Sequence, residues 1–87
     1  MISKKLIVNC PIGLQVEPAG RLCEQAVEFQ SKITVEYEGG TANAKSILSI
    51  LGAVIKHGDQ INLVCEGPDE EEAMHVIAEV LERKLAV

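Results

Sequence analysis

The sequence predicts an α+β fold, an antiparallel sheet with helices on one face, and three observations point there. Apolar and polar residues alternate with period two at Leu6-Val8-Cys10, Ile33-Val35-Tyr37 and Ile61-Leu63-Cys65, the pattern of strands buried on one side. Between and after them, Ala19-Leu22-Cys23-Ala26 and Ala73-Ile77-Val80-Leu81 form apolar stripes at helical spacing. Glycine and proline punctuate the joins, and no repeat or linker interrupts the chain. The order is βαββαβα, a two-layer sandwich. Its 87 residues suit a single domain spanning 1–87 with one modest core.

Each element has its own signal. The first strand carries Leu6, Val8 and Cys10 inward, with Ile7 a mild break in the alternation, and Pro11-Ile12-Gly13 ends it in a loop. Pro18 suits the first turn of the helix that follows. Gly20 lowers helix propensity by about 1 kcal/mol relative to Ala, so close packing is expected around it. The second strand runs into Gly39-Gly40, read as a two-residue hairpin turn, and Thr41 to Ala44 returns antiparallel. Ser46 opens a short apolar helix that Gly52 can end. His57-Gly58-Asp59 turns the chain into the fourth strand, and Gly67-Pro68 closes it. Asp69 and Glu72 have capping-box spacing at the start of the last helix. Glu70 and Glu71 there, and Arg83 and Lys84 at its far end, complement the helix dipole.

Composition excludes several function classes. At 47% hydrophobic and 24% charged, the chain is too apolar to be disordered. Eight basic against thirteen acidic residues leave a net charge of -5, the wrong sign for a phosphate-tracking groove, so no direct nucleic-acid partner is expected. No apolar run approaches the roughly 20 residues that span a bilayer, and no secretory h-region follows Met1. A cytoplasmic protein without membrane contact is the expectation. Cys10, Cys23 and Cys65 are odd in number and never closely spaced, which fits reduced, packed thiols rather than a disulfide framework or a zinc site.

Two segments carry a resemblance that covers essentially the whole chain. Gly13-Leu14-Gln15-Val16-Glu17-Pro18-Ala19 resembles the G-[LI]-H-A-R-P-A active-centre segment of HPr, the histidine-containing phosphocarrier of the bacterial sugar phosphotransferase system. Asn43-Ala44-Lys45-Ser46-Ile47-Leu48 resembles that family's regulatory serine segment, in register with the first. The resemblance implies an HPr-like open-faced sandwich, a four-stranded antiparallel sheet with three helices on one side. It also places Gln15 where the family has its phospho-accepting histidine and Glu17 where it has an arginine. A Gln at that place with a retained serine is similar to the catabolite-repression HPr-like paralogues of bacilli, although those are expected to keep the arginine.

The chemistry of the departures is direct. Imidazole nitrogen is both nucleophile and leaving group, so it can receive and release a phosphoryl group; a neutral carboxamide cannot. An arginine would neutralise the transferring phosphate, whereas Glu17 repels it. No catalytic residue, cofactor or metal is therefore expected, and the chain is not expected to be an enzyme. Gln15 and Glu17 are either a solvated helix start or part of a docking face that includes Arg21, which is spaced to pair with Glu17. Ser46 is either a helix cap or, as the resemblance implies, a phosphorylation site. Ile47, Leu48, Ile50 and Leu51 are apolar on every side of a short helix, so Ile47, Leu48 and Leu51 are candidate partner contacts.

The resemblance implies protein partners: HPr kinase/phosphorylase, a catabolite-control repressor, or phosphotransferase-system enzymes. The leading reading is a regulatory binding protein of carbon metabolism switched at Ser46. The alternatives are a component that docks sugar-transport enzymes or relays phosphate through another residue, and a small-molecule-binding α+β domain. His57, in a turn, and His75, between Glu71 and Glu79, read as solvated side chains. Cys10 is a candidate exposed thiol with no neighbouring base to activate it.

Overall fold

A computed structural model describes residues 1–86. The expected architecture is present. Strand β1 (Ile2–Ile7) is followed by helix α1 (Val16–Ala26), strands β2 (Lys32–Tyr37) and β3 (Gly40–Asn43), helix α2 (Ile47–Ala53), strand β4 (Gln60–Glu66) and helix α3 (Glu70–Glu82). A turn of 3-10 helix, Lys84–Ala86, comes last among the described residues. The sheet order is β1-β4-β2-β3 and every pairing is antiparallel. Ile33 lies opposite Cys65, and Leu6 opposite Ile61, so the period-two positions of neighbouring strands meet on one face.

That face and the helices form a single core. Ile33, Val35, Leu63 and Cys65 from the sheet are fully buried, as are Leu22 of α1, Ile50 of α2, and Ile77 and Leu81 of α3. Helix α3 lies against β1 and β4, α2 against β3, and α1 touches both other helices. The opposite sheet face carries Lys5, Glu36 and Asn62, with Asn62 Nδ2 donating to Glu36 Oε1 at 2.9 Å.

Four local expectations need correction. Tyr37 pairs with Gly40, so the hairpin loop is Glu38-Gly39 rather than Gly39-Gly40; Gly39 takes φ +113° there, a conformation open to glycine alone at low energy. Nothing lies within 4 Å of a Cβ built on Gly20, so no close packing explains that glycine. Helix α2 runs through Gly52 to Ala53 and ends on Val54, at φ +52° and ψ +51°.

The fourth correction concerns α3, where Asp69 makes no side-chain cap bond. Its carboxylate instead accepts from the backbone N–H groups of Gln30 and Ser31, each at 2.9 Å, and from the Ser31 hydroxyl. Glu70, not Glu72, reaches back to the Gly67 N–H at 3.1 Å. The loop after α1 offers three donors at once, which outcompetes a single amide of its own helix. Gly67, at φ +153°, has room for no side chain: a Cβ there would stand 2.6 Å from Ser31 Cα.

Candidate functional site

The loop from Asn9 to Gln15 is stitched to the turn before β4. Cys10 N–H donates to His57 Nδ1 at 3.1 Å, Leu14 N–H to the Ile55 carbonyl at 2.9 Å, and Gly58 N–H to the Val8 carbonyl at 2.8 Å. Lys56 N–H is in turn fixed by Asp59 Oδ2 at 2.9 Å. The loop is thereby held by backbone bonds on both sides, and Gln15 arrives at the start of α1 in an extended conformation, its side chain exposed and making no cap bond. The first-turn amides of α1 have no intrahelical acceptor; Pro18 lacks one of them by its chemistry.

Glu17 and Arg21 do pair, at 3.8 Å. Arg21 also donates to the Lys84 carbonyl at 2.8 Å, a contact between α1 and the 3-10 turn that sequence spacing gave no sign of. Both side chains are well solvated, so this pair is worth less than about 1 kcal/mol.

Ser46 caps α2. Its backbone is extended (φ −122°, ψ +115°) and its Oγ accepts from Ser49 N–H at 3.2 Å. Ser49 Oγ accepts from Asn43 N–H at 2.8 Å, and Asn43 Oδ1 from Lys45 N–H at 2.9 Å. Lys45 Nζ donates to the Phe29 carbonyl at 2.6 Å, tying this junction to the loop after α1. Ser46 is half-buried, so its hydroxyl lies between cap and surface. Of the apolar run only Ile50 is buried; Leu51 is half-covered, Ile47 is 43% exposed and Leu48 82%. The core could not take all four, as the spacing predicted.

An open groove of about 620 Å³ lies between the Pro11–Val16 segment and the end of α2. Gln15 and Leu51 both line it, which brings the two singled-out segments together, whereas Glu17, Arg21, Ser46 and Leu48 lie outside it. The groove also exposes Ile12, Val16, Val54, Lys56 and His57, none of which was singled out for binding. Ile12, Val16 and Val54 read as core from sequence alone; only their exposure marks them.

Two smaller expectations change. Cys10 is not an exposed thiol: it is fully buried and its Sγ donates to the Gly13 carbonyl at 3.1 Å. Burial pushes its pKa up, with backbone hydrogen bonds at Ile12 and Gly13 opposing only in part, which disfavours the thiolate. His57 is exposed but not simply solvated, because its Nδ1 holds the Cys10 amide. His75 is solvated and stands 4.0 Å from Glu79. Among the described residues no three His, Cys, Asp or Glu side chains form a metal-holding group, and no helix is long and apolar enough to cross a membrane.

The family profile described as PTS HPr component phosphorylation site matches residues 2–83. The chain belongs to the HPr family. Among similar proteins, the HPr-like protein Crh of Halalkalibacterium halodurans is 37% identical over 84 residues, 97% of this chain and 100% of that one. Phosphocarrier protein HPr of Lysinibacillus sphaericus is 38% identical over 81 residues, covering 93% and 92%. In three dimensions the HPr-C-His structure from Thermoanaerobacter tengcongensis superposes with TM-score 0.93 at 32% identity, over 100% of this chain and 98% of that one. The Bacillus subtilis catabolite repression protein Crh, solved as a swapped dimer, gives TM-score 0.76 at 32% identity over 93% of each chain. Overall identity to the Halalkalibacterium and Lysinibacillus relatives, one HPr-like and one HPr, differs by a single percentage point, so it does not discriminate between the branches.

Proposed function

We propose that this HPr-family chain is a single-domain, cytoplasmic docking protein that regulates carbon metabolism without relaying phosphate, and that phosphorylation at Ser46 switches its partner binding. The observation that carries this reading is the pair Gln15 and Glu17 at the exposed start of α1. A phosphoryl group arriving there meets a carboxamide without a nucleophilic lone pair and a carboxylate of its own sign. His57, the one imidazole on the adjoining groove, is a poor substitute. Its Nδ1 accepts from Cys10 N–H, which leaves the proton of the neutral ring on Nε2 and neither nitrogen free to attack. Similarity to Crh, whose name in Bacillus subtilis refers to catabolite repression, supports the regulatory side of the reading.

Ser46 lies beside Ile47 and Leu48, so a phosphate adding about −1.5 to −2 charges changes the character of an apolar surface without entering the core. Its effect should appear in partner binding rather than in stability. Docking to sugar-transport enzymes is the second reading, favoured by the comparable similarity to a phosphocarrier HPr; on that reading binding to those enzymes is insensitive to Ser46.

The test has two arms. With phosphoenolpyruvate and enzyme I, the chain should acquire no acid-labile phosphate. Gln15→His alone should recover little transfer, and Gln15→His with Glu17→Arg should recover more than the sum of the singles. With ATP and an HPr kinase, mass spectrometry should find phosphate on Ser46, absent from Ser46→Ala, and Glu17→Arg should strengthen repressor binding. Acid-labile phosphate on the unchanged chain would sink the non-relaying reading. Failure to label Ser46 where an ordinary HPr is labelled would reduce that serine to a cap.

A further inference from the structure

Among the described residues Val54 is the sole non-glycine with positive φ, at +52°, while Gly13, Gly39, Gly58 and Gly67 hold the others. The left-handed region is unfavourable for any L-residue and worst for a β-branched one. The residue just past a helix end is the place where glycine is ordinarily found. Here the glycine stands two positions earlier: Gly52 lies inside α2, with nothing within 4 Å of a Cβ built on it. Nor does burial offset the strain, because Val54 is 67% exposed. A strained backbone with an unburied side chain has no account in the packing of this chain, and such strain marks functional positions.

We propose that Val54 is a specificity-determining contact. With Val16, which is 70% exposed on the same groove, it forms an apolar lip that receives an aliphatic side chain of a protein partner, flanked there by a carboxylate. The carboxylate follows from charge. Lys56 lines the groove as a cation without an ion pair among the described residues, no carboxylate lines it, and the chain as a whole carries −5. That same net charge disfavours a second copy of this chain as the occupant. The inference rests on the docking role proposed above and adds which side chain selects the partner and what chemistry it selects.

The test sets stability against affinity, using enzyme I and HPr kinase as separate probes in titration calorimetry. Val54→Gly should raise the thermal midpoint by about 4 °C while raising the Kd of the bound probe about tenfold. Val54→Asn, which tolerates the left-handed region without glycine's extra freedom, should behave the same way. Val54→Leu, which keeps an aliphatic contact, should raise Kd by less than about threefold. Lys56→Glu should weaken binding, and by less at high salt. A lower or unchanged midpoint in both Val54→Gly and Val54→Asn overturns the inference, as does wild-type affinity in either. So does a wild type that binds neither probe, or one whose self-association is what Val54→Gly abolishes. If Val54→Gly is labelled at Ser46 with the KM of wild type, this inference falls and the serine switch stands. If wild type docks but is never labelled, the switch falls and Val54 stands.

Discussion

The two ends of the helical layer solve the same problem in opposite ways. At the start of α3, donors and acceptors are saturated: the Asp69 carboxylate takes three bonds from Gln30 and Ser31, Glu70 takes the Gly67 amide and the N-terminal ammonium at 3.0 Å, and Ser31 is buried. At the junction of α1 and α2 the backbone is as well tied, yet the side chains are left over. Gln15 caps nothing, Ile12, Val16, Leu48 and Val54 face water, and one residue is strained. The first end spends its polar groups on the fold; the second holds its side chains ready for something else. Local satisfaction thus separates a corner that serves the fold from the one proposed to dock a partner.

The sharpest way to break this contrast is to overfill the saturated end. Gly67→Ala forces a Cβ against Ser31 backbone at a left-handed φ and should cost about 3 kcal/mol or more in urea unfolding. Acid should come next. Hydrogen bonds from Ser31 and Gln30 hold the Asp69 carboxyl below its usual pKa, and the Gly67 amide and the N-terminus do the same for Glu70. Their stabilisation is therefore complete above about pH 5 and lost as pH falls through the lowered native values. The unfolding midpoint should decline from about pH 5 downward to about pH 2, and Asp69→Asn should lower the neutral-pH midpoint and flatten that decline. An undiminished slope in Asp69→Asn would move the acid sensitivity elsewhere.

Smaller effects should mark the other end. Arg21→Ala removes an exposed ion pair and the bond to the Lys84 carbonyl and should cost about 1 kcal/mol. A loss of several kcal/mol would make α1 a structural corner too. Leu48→Ala, at a side chain 82% exposed, should change stability by less than about 0.5 kcal/mol and yet weaken partner binding. Neutrality in both assays would remove Leu48 from the docking face.

Sequence periodicity reached the architecture because it reports which face of an element is buried. Ile61, Leu63 and Cys65 could sit nowhere but on the inner face, and the α3 stripe was equally plain. Gln15, Glu17 and Ser46 were singled out by another route, the resemblance of two segments in register to those of the HPr family. What escaped was non-local. Asp69 has the spacing of a cap, and only the approach of Ser31, 38 residues away, draws its carboxylate off. The glycine at 52 read as a stop, but the helix continued one residue further and placed the left-handed turn on Val54. No local pattern distinguishes an apolar residue at a rim from one in the core.

The three cysteines give this molecule its own internal clock. All are buried and free. Cys10 lies in the loop just before the Pro11–Val16 wall of the groove, and Cys65 in the sheet close enough to Asp69 and Glu70 for their charges to act on it; burial first, and those charges second, push its pKa up to about 11. A thiol reagent can reach either only during an opening. Cys10 should be labelled each time its loop lifts away from His57, whereas Cys65 must wait for the sheet to come apart. The ratio of the two labelling rates therefore measures how independently the groove breathes from the fold that carries it, and a partner seated on the groove should slow the first without touching the second.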